Sequence, residues 1–169
     1  MITKVIAGLI LCSILPLSGG KLEAQDSGAK TSAFVPQASD PARPFHAKRP
    51  LGQELVAPGT LYSPGVLIDK TIYVAGLQGT DSNTHKLPPD FDKEVRNCLD
   101  NIGTVLKDGG MGYGDVVSVQ IYLVDISQFQ QVNDIYKAYF KGILPARTTV
   151  QVAKLSLGSR IEIAAVAQK

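Results

Sequence analysis

Two charged side chains near the carboxyl terminus interrupt stretches that otherwise have the composition of β-strands. Arg147 follows a Pro-Ala pair, and Glu162 lies between two isoleucines. A guanidinium can bind a carboxylate through two parallel hydrogen bonds, and a carboxylate can accept a proton or orient a water molecule. Two interpretations therefore remain open: a structural ion pair between Arg147 and Glu162, or a site in which Arg147 holds the carboxylate of a ligand.

Arg147 and Glu162 are associated with the last two of several predicted strands. β-Branched and aromatic residues predict a strand over 71–76, and alternating side chains predict another over 115–125. The two closing strands are expected over about 148–154 and 160–167. Residues 54–67 leave room for short additional strands.

Two amphipathic helices are predicted between the strands, because apolar residues recur every three or four positions. The first ends at Gly109-Gly110 and the second at Gly142. The predicted fold class is α+β, a mixed β-sheet with both helices packed on one face. The apolar stripes are Phe91, Val95, Leu99, Ile102 and Val105 in the first helix, and Phe129, Val132, Tyr136 and Tyr139 or Phe140 in the second.

Alternation also assigns each strand residue to one face of the sheet. The opposite face from the helices is too apolar for solvent and too polar for a dry core, so we expect it to be a subunit interface that contains a site. The helix-covered face is predicted to carry Val117, Val119, Ile121, Leu123, Val150, Val152, Ile161 and Ile163. The opposite face is predicted to carry Gln120, Tyr122, Arg147, Thr149, Gln151, Glu162, Ala164 and Val166.

The first 50 residues differ in composition from the rest of the chain. Lys4 precedes an apolar run over 5–17, which predicts a signal peptide over 1–24, cut after Ala24 or alternatively after Gly20. An uncleaved membrane anchor is the other interpretation. Residues 25–50 are predicted to be a flexible leader and 51–169 the folded domain. We expect an exported protein, periplasmic or extracellular, with no stable membrane association after cleavage.

Charge and composition bear on which ligands the chain can bind. The net charge is +2, and about +1 after removal of residues 1–24. The chain therefore lacks the excess of basic residues that is typical of nucleic-acid-binding proteins. The two histidines, His46 and His85, fall far apart in predicted exposed loops, and the sequence predicts neither a metal site nor a cofactor. Cys98 lies beside the stripe of the first helix and is interpreted as a small core residue.

Over about residues 54–168 the sequence resembles the Rid family, the reactive intermediate deaminases also called the YjgF family. The segments "LYSPGV" (61–66) and "CLDNI" (98–102) are similar to family segments. The most specific match is at the carboxyl terminus, where it comprises Pro145, Ala146, Arg147, Thr148, Val150, Val152, Leu155, Ile161, Glu162, Ile163 and Ala167.

The resemblance implies a chorismate-mutase-like fold and a homotrimer. In that arrangement each sheet turns one face to its helices and the other to a central barrel, and sites lie between neighbouring subunits. The resemblance implies that Arg147 binds the substrate carboxylate and that Glu162 orients a water. It also implies a substrate-binding set of Tyr62, Ala75, Gly76, Arg147 and Thr149. Tyr62 has a second interpretation, as a packed interface tyrosine.

The implied reaction is hydrolysis of 2-imino acids and their enamine tautomers to 2-keto acids and ammonia. Positioning and proton transfer suffice for it, without metal or cofactor. Ala75 stands where the family often has serine, and one lost hydrogen bond can lower a rate up to about tenfold. A non-catalytic binder of small carboxylates is therefore the main alternative. An endoribonuclease is a further one, which the low net charge disfavours.

Overall fold

The computed structural model describes residues 46–169, so the predicted signal peptide and most of the predicted leader lie outside the described residues. The described chain forms one six-stranded sheet in the order β1-β2-β3-β6-β4-β5. Only the β4–β5 pair is parallel in this sheet, and the other neighbours are antiparallel. The strands are β1 (Lys48–Leu51), β2 (Gly65–Ile68), β3 (Thr71–Gln78), β4 (Val116–Leu123), β5 (Ala146–Gln151) and β6 (Ile161–Gln168).

Both helices pack on one face of this mixed sheet, which confirms the predicted α+β class. Helix α1 (Phe91–Asp108) begins at Asp90, whose side chain accepts a hydrogen bond from the Lys93 backbone N–H at 2.8 Å. Such an N-cap satisfies a donor that the first helical turn leaves unpaired. Helix α2 (Phe129–Tyr139) ends three residues before the predicted stop at Gly142.

The helical stripes form most of the core under this face. All five predicted α1 residues are buried, as are Val132, Tyr136 and Phe140 from the second stripe. Phe129 is 38% exposed and lies at the margin of the core. Strand residues Ile121, Leu123, Ile161 and Ile163, buried to 1% exposure or less, complete the layer as predicted.

The predicted start of the domain at Leu51 is three residues too late. Lys48 to Leu51 pair with Gly65 to Ile68 as an antiparallel edge strand, so residues 48–50 belong to the sheet and not to the leader. Pro50 interrupts the pattern from which a strand is predicted. Proline has no N–H to donate, and an edge strand tolerates it where the backbone position faces solvent and needs no donor.

The prediction that Val117 faces the helices is wrong. A register shift between Val116 and Ser118 places a bulge in β4, opposite β6. Val116 is buried at 5% exposure and Val117 is 48% exposed. An extra residue in one strand reverses the alternation that a simple period of two predicts.

The face assignment of β5 is wrong throughout. The parallel register places Arg147 beside Val119 and Thr149 beside Ile121, both of which are buried under the helices. Paired residues in neighbouring strands share a face, so Arg147, Thr149 and Gln151 point to the helix side. Val150 lies beside Tyr122 on the opposite face and is 41% exposed. Val152 lies beyond the last residue of β5.

Within residues 46–169, neither helix has the length and apolar composition that a membrane crossing needs.

Candidate active site

A cavity of about 750 Å³ lies beside the ends of β3 and β6 and is also lined by Asn101 of α1. Its floor is formed by Ala75, Gly76 and Gln78 of β3 and by Glu162 of β6. The segment between β1 and β2 supplies a wall that includes Tyr62, which is 53% exposed. Four predicted site residues, Tyr62, Ala75, Gly76 and Glu162, are therefore brought together.

A β-bulge creates the shape of the cavity floor. Strands β3 and β6 are in register up to Val74 opposite Ala165 and again from Leu77 opposite Ile163. Ala75 and Gly76 together thus face the single residue Ala164. The predicted strand over 71–76 continues through this bulge to Gln78. Bulges bend a strand and disturb the regular ladder, which exposes backbone groups beside a site.

Gly76 allows the Glu162 carboxylate to lie directly against the β3 backbone. A Cβ atom at position 76 would be 2.3 Å from Glu162 Oε1 and 2.8 Å from its carboxyl carbon. No side chain fits in that space without displacing the carboxylate. The glycine that the sequence indicated as a strand end is required here for a close approach.

Glu162 is half-buried and receives a hydrogen bond from its cross-strand partner. Gln78 Nε2 donates to Glu162 Oε2 at 3.3 Å and to Ser156 Oγ at 2.5 Å. Ser156 opens a tight turn over Ser156–Gly158, immediately before β6. Gln78 and Ser156 were missed at the level of the sequence, because no local pattern relates residues 78 positions apart.

Two residues in left-handed backbone conformation lie at the cavity rim. Leu157 has φ 57° and is 78% exposed, and His85 has φ 54°. His85 is exposed as expected, although it also lines the cavity. Its loop is closed by Asp81, which accepts hydrogen bonds from the backbone N–H groups of Asn83 and Thr84. These bonds hold the pKa of Asp81 below its usual range.

An ion pair between a buried glutamate and a partly exposed arginine fixes the start of the strand that carries Glu162. Glu94 of α1, 1% exposed, accepts from the Ser159 hydroxyl at 2.8 Å and from the Arg160 backbone N–H at 2.7 Å. Its second oxygen accepts from Arg160 Nε at 2.6 Å. The Arg160 guanidinium also lies 5.3 Å from the centre of the Phe91 ring. Helix α1 is thereby tied to the residues that lead directly into β6.

Arg147 lies away from this cavity. Its guanidinium sits over two rings of α2, 4.9 Å from the centre of Tyr136 and 5.4 Å from that of Phe129. In register along β4, Arg147 aligns with Val119 and Glu162 with Tyr122. Val119 and Tyr122 are three positions apart, so Arg147 and Glu162 are offset by about 10 Å along the strand direction. Their side chains point to opposite faces of the sheet. The ion-pair interpretation is therefore wrong within one chain.

Thr149 accompanies Arg147 and not the cavity. Its hydroxyl and that of Tyr136 are buried, and the described residues provide neither with a hydrogen-bond partner. The predicted site residues thus separate into two groups, Tyr62, Ala75, Gly76 and Glu162 at the cavity, and Arg147 and Thr149 on the outermost strand β5.

Other reactive side chains are placed outside the cavity. The Cys98 thiol is buried and donates to the Leu77 carbonyl oxygen at 3.0 Å, and burial raises its pKa. A thiol in such surroundings is a poor nucleophile. Among residues 46–169, no three His, Cys, Asp or Glu side chains are grouped so that they could hold a metal ion.

The chain is similar to a known protein family over the whole of the described sheet beyond β1. The model of the family described as Endoribonuclease L-PSP matches residues 53–169, which is most of the chain. The chain belongs to the endoribonuclease L-PSP family. The match covers all predicted site residues and both groups into which the structure separates them.

Two mammalian proteins of the same name are similar to this chain. A rat protein named 2-iminobutanoate/2-iminopropanoate deaminase is 48% identical over 107 residues, which cover 63% of this chain and 78% of the rat protein. A human protein of the same name is 46% identical over 114 residues, covering 66% and 83%.

A solved structure of this family supports both the fold and the earlier resemblance. A Yersinia pestis protein, YyfA, described as a protein of unknown function of the conserved Rid protein family, is 34% identical. The two structures superpose with a TM-score of 0.68, and the match covers 73% of this chain and 100% of the Yersinia chain. The resemblance to the Rid family is confirmed.

Proposed function

We propose that this protein is a deaminase that hydrolyses 2-imino acids and their enamine tautomers to 2-keto acids and ammonia. The observation that carries the proposal is the half-buried Glu162 carboxylate, which lies against Gly76 on the floor of the cavity. A carboxylate held in this way can orient a water and accept its proton. The curated names of the rat and human relatives support the same reaction.

The reaction needs only positioning of water and substrate and acid–base catalysis from the protein. Water held by Glu162 adds to the carbon of the C=N bond, the bonding pair moves to nitrogen, and Glu162 takes the proton of the water. Glu162 returns this proton to the nitrogen, which gives a neutral carbinolamine. It then carries the hydroxyl proton to the nitrogen as the C–N bond breaks, so that the carbonyl group forms and ammonia leaves. Because the imine is already electrophilic, acid–base help of about 10²–10⁴-fold and correct positioning are sufficient.

We further propose that the site is completed by Arg147 of a neighbouring copy in a homotrimer. A small imino acid cannot reach both Glu162 and Arg147 of one chain, which point to opposite faces about 10 Å apart along the strand. Strand β5 is an edge of the sheet and its Arg147 is exposed, so a second copy can approach it. Stacking on Tyr136 holds the guanidinium ready to bind a carboxylate.

The uncovered face of the sheet supports such an assembly. It carries large side chains that are exposed in the single chain, including Tyr73 at 54% and Val150 at 41%. Apolar surface of this kind, interspersed with Gln120 and Tyr122, is typical of a subunit interface. Burial of this face against other copies is what the proposed central barrel requires.

The proposal is tested by generating 2-iminopropionate in situ with an amino-acid oxidase and trapping the remaining imine with semicarbazide. We expect the wild-type protein to accelerate imine loss and Arg147→Ala not to do so. Lys137→Ala, which removes a cation of α2 that pairs with Asp134 at the surface, is the matched control and should retain activity. Wild-type inactivity with several imino acids would contradict the proposal.

The same cavity suits a second function, binding of small carboxylates without catalysis. The observation that favours it is Ala75, which places a methyl group on the cavity floor where the family often has a hydroxyl. Calorimetric binding of 2-ketobutyrate by a protein that does not accelerate imine loss would support this binder. Salt-dependent RNA binding would instead support an endoribonuclease.

We also propose that the protein is exported, with residues 1–24 removed. The support is the run from Lys4 through small residues near Ala24. Mass spectrometry of the protein recovered from its native compartment tests this, since removal of 24 residues leaves Gln25 as the first residue. An intact Met1 in that material would overturn it.

A further inference from the structure

We propose that Gln78 is a positioning residue that fixes the Glu162 carboxylate and that Ser156 in turn holds the Gln78 amide. The inference rests on the proposed deaminase function of the same cavity. Gln78 and Glu162 are direct cross-strand partners beyond the bulge of β3. Both residues and Ser156 line the cavity. The three side chains therefore form one connected group at the proposed site of the reaction.

The chemistry of the three groups determines their orientation. An ionised carboxylate only accepts hydrogen bonds, so the amide must turn its NH₂ group toward Glu162. That group donates to Oε2 at 3.3 Å, while Oε1 lies against the backbone of Gly76. The amide thus engages one oxygen only. Oε1, next to the bulge, is the oxygen that the arrangement assigns to the reacting water.

Ser156 makes the shorter of the two contacts with Gln78. The Nε2–Oγ distance is 2.5 Å, against 3.3 Å to Glu162, so the hydroxyl anchors the amide more closely than the carboxylate does. Ser156 is followed by two residues in left-handed conformation, Leu157 with φ 57° and Gly158 with φ 76°. This turn determines the direction of the Ser156 hydroxyl. Because that hydroxyl holds the Gln78 amide, the turn also determines the position of Glu162 Oε2.

A role in positioning predicts a specific kinetic signature. Gln78→Met keeps the length of the side chain and removes its donor, so the carboxylate becomes free to rotate. We expect kcat to fall about tenfold while KM changes less than about twofold, because the lost contact acts on the reacting group and not on substrate binding. Gln130→Met is the matched control, since Gln130 of α2 donates to Asp134 at 3.0 Å on the exposed surface.

The link to Ser156 is tested by a double-mutant cycle. Ser156→Ala alone should lower kcat about threefold, and it should add less than about twofold when Gln78 is already methionine. Independent losses that multiply in the double variant would overturn the role of Ser156. An unchanged kcat in Gln78→Met would overturn the whole inference.

A spectroscopic measurement separates this inference from the deaminase proposal. The chain has four glutamates, Glu23, Glu54, Glu94 and Glu162, so side-chain ¹³C-carboxyl labelling gives a simple spectrum. The Glu162 resonance is assigned by its loss in Glu162→Gln. We expect it to move in Gln78→Met and to stay in place in Gln130→Met. A moved resonance in a protein without deaminase activity would refute the function and leave the contact established, whereas an unmoved one refutes the contact.

Discussion

The backbone of Gly76 and the carboxylate of Glu162 occupy adjoining space on the cavity floor, so a change at one displaces the other. In Gly76→Ala the new methyl carbon would start 2.3 Å from Glu162 Oε1. We expect kcat/KM for imine hydrolysis to fall at least about tenfold, because Glu162, the proposed general base, leaves its position. Steady-state kinetics with oxidase-generated imine measure this loss.

Gly114→Ala is the control for Gly76→Ala. A Cβ at position 114 meets no atom within 4 Å, so this variant tests the effect of the same substitution where space is free. Its activity should equal that of the wild type. Full activity in Gly76→Ala would show that the Glu162 carboxylate does not need its place against the β3 backbone.

Ala75 offers a prediction of increased activity. Its side chain lines the cavity on the bulge, next to Gly76. Ala75→Ser adds one hydroxyl that can bond to substrate or water, and a bond of about 0.5–1.5 kcal/mol corresponds to as much as about tenfold in rate. We expect a higher kcat/KM for 2-iminopropionate. A lower value, with an unchanged melting temperature, would indicate that this cavity is adapted to a methyl group.

At the scale of the elements, the contact between α1 and the start of β6 ties a helix to the strand that carries Glu162. Glu94→Ala leaves the Arg160 side chain, 35% exposed, without its buried partner. Breaking a buried pair costs about 3–5 kcal/mol, and the partial exposure of Arg160 places our expectation at about 2–4 kcal/mol. Urea denaturation at constant m-value measures this decrease in the free energy of unfolding.

The exposed ion pair between Asp134 and Lys137 is the control for the pair between Glu94 and Arg160. Its side chains are 61% and 70% exposed, and Asp134→Ala should change the free energy of unfolding by less than about 0.5 kcal/mol. Equal effects of the two substitutions would mean that burial of Glu94 adds nothing to the stability of the β6 start.

The sequence predicted the elements whose periodicity is unbroken and failed where it breaks. The α1 stripe has a regular helical period, and all its residues are buried as expected. The bulge at Val117 reverses the alternation in β4, and the period of two carries no mark of an added residue. In β5 the apolar residues are too few to fix a face, so the parallel register with β4 decided it.

The sequence predicted some residues of the candidate site and missed others. The resemblance to a known family indicated Tyr62, Gly76 and Glu162, and the structure brings them to one cavity. Gln78, Ser156 and Glu94 were missed because their contacts join residues 65 to 84 positions apart. Such contacts depend on strand register and on the tight turn before β6, and a single sequence does not reveal either.

At the scale of the whole molecule, the separation of Glu162 and Arg147 predicts complementation between inactive variants. Glu162→Gln and Arg147→Ala are each expected to be inactive alone. When they are coexpressed and assemble into mixed trimers, a site between neighbours can combine an intact Glu162 with an intact Arg147. In a cyclic trimer of either mixed composition one of the three sites combines both intact residues, which predicts about a third of wild-type activity for the mixed assemblies.

The measurement uses two different affinity tags, so that only mixed assemblies are recovered after successive purifications. Coexpression of two tagged copies of Arg147→Ala is the control and should give no activity. Mixed assemblies that are as inactive as this control would show that both residues must come from the same chain, contrary to the proposed shared site.

The proposed site between subunits, with Arg147 on the outermost strand β5, also implies that the catalytic rate depends on protein concentration. A chain that has dissociated from its neighbours keeps the Glu162 cavity but has no Arg147 beside it. Specific activity should therefore fall on dilution below the dissociation constant of the assembly, even though every chain stays folded. If the protein is exported as proposed, its concentration is set by its surroundings, and the strength of the proposed subunit contact then limits where imine hydrolysis can proceed.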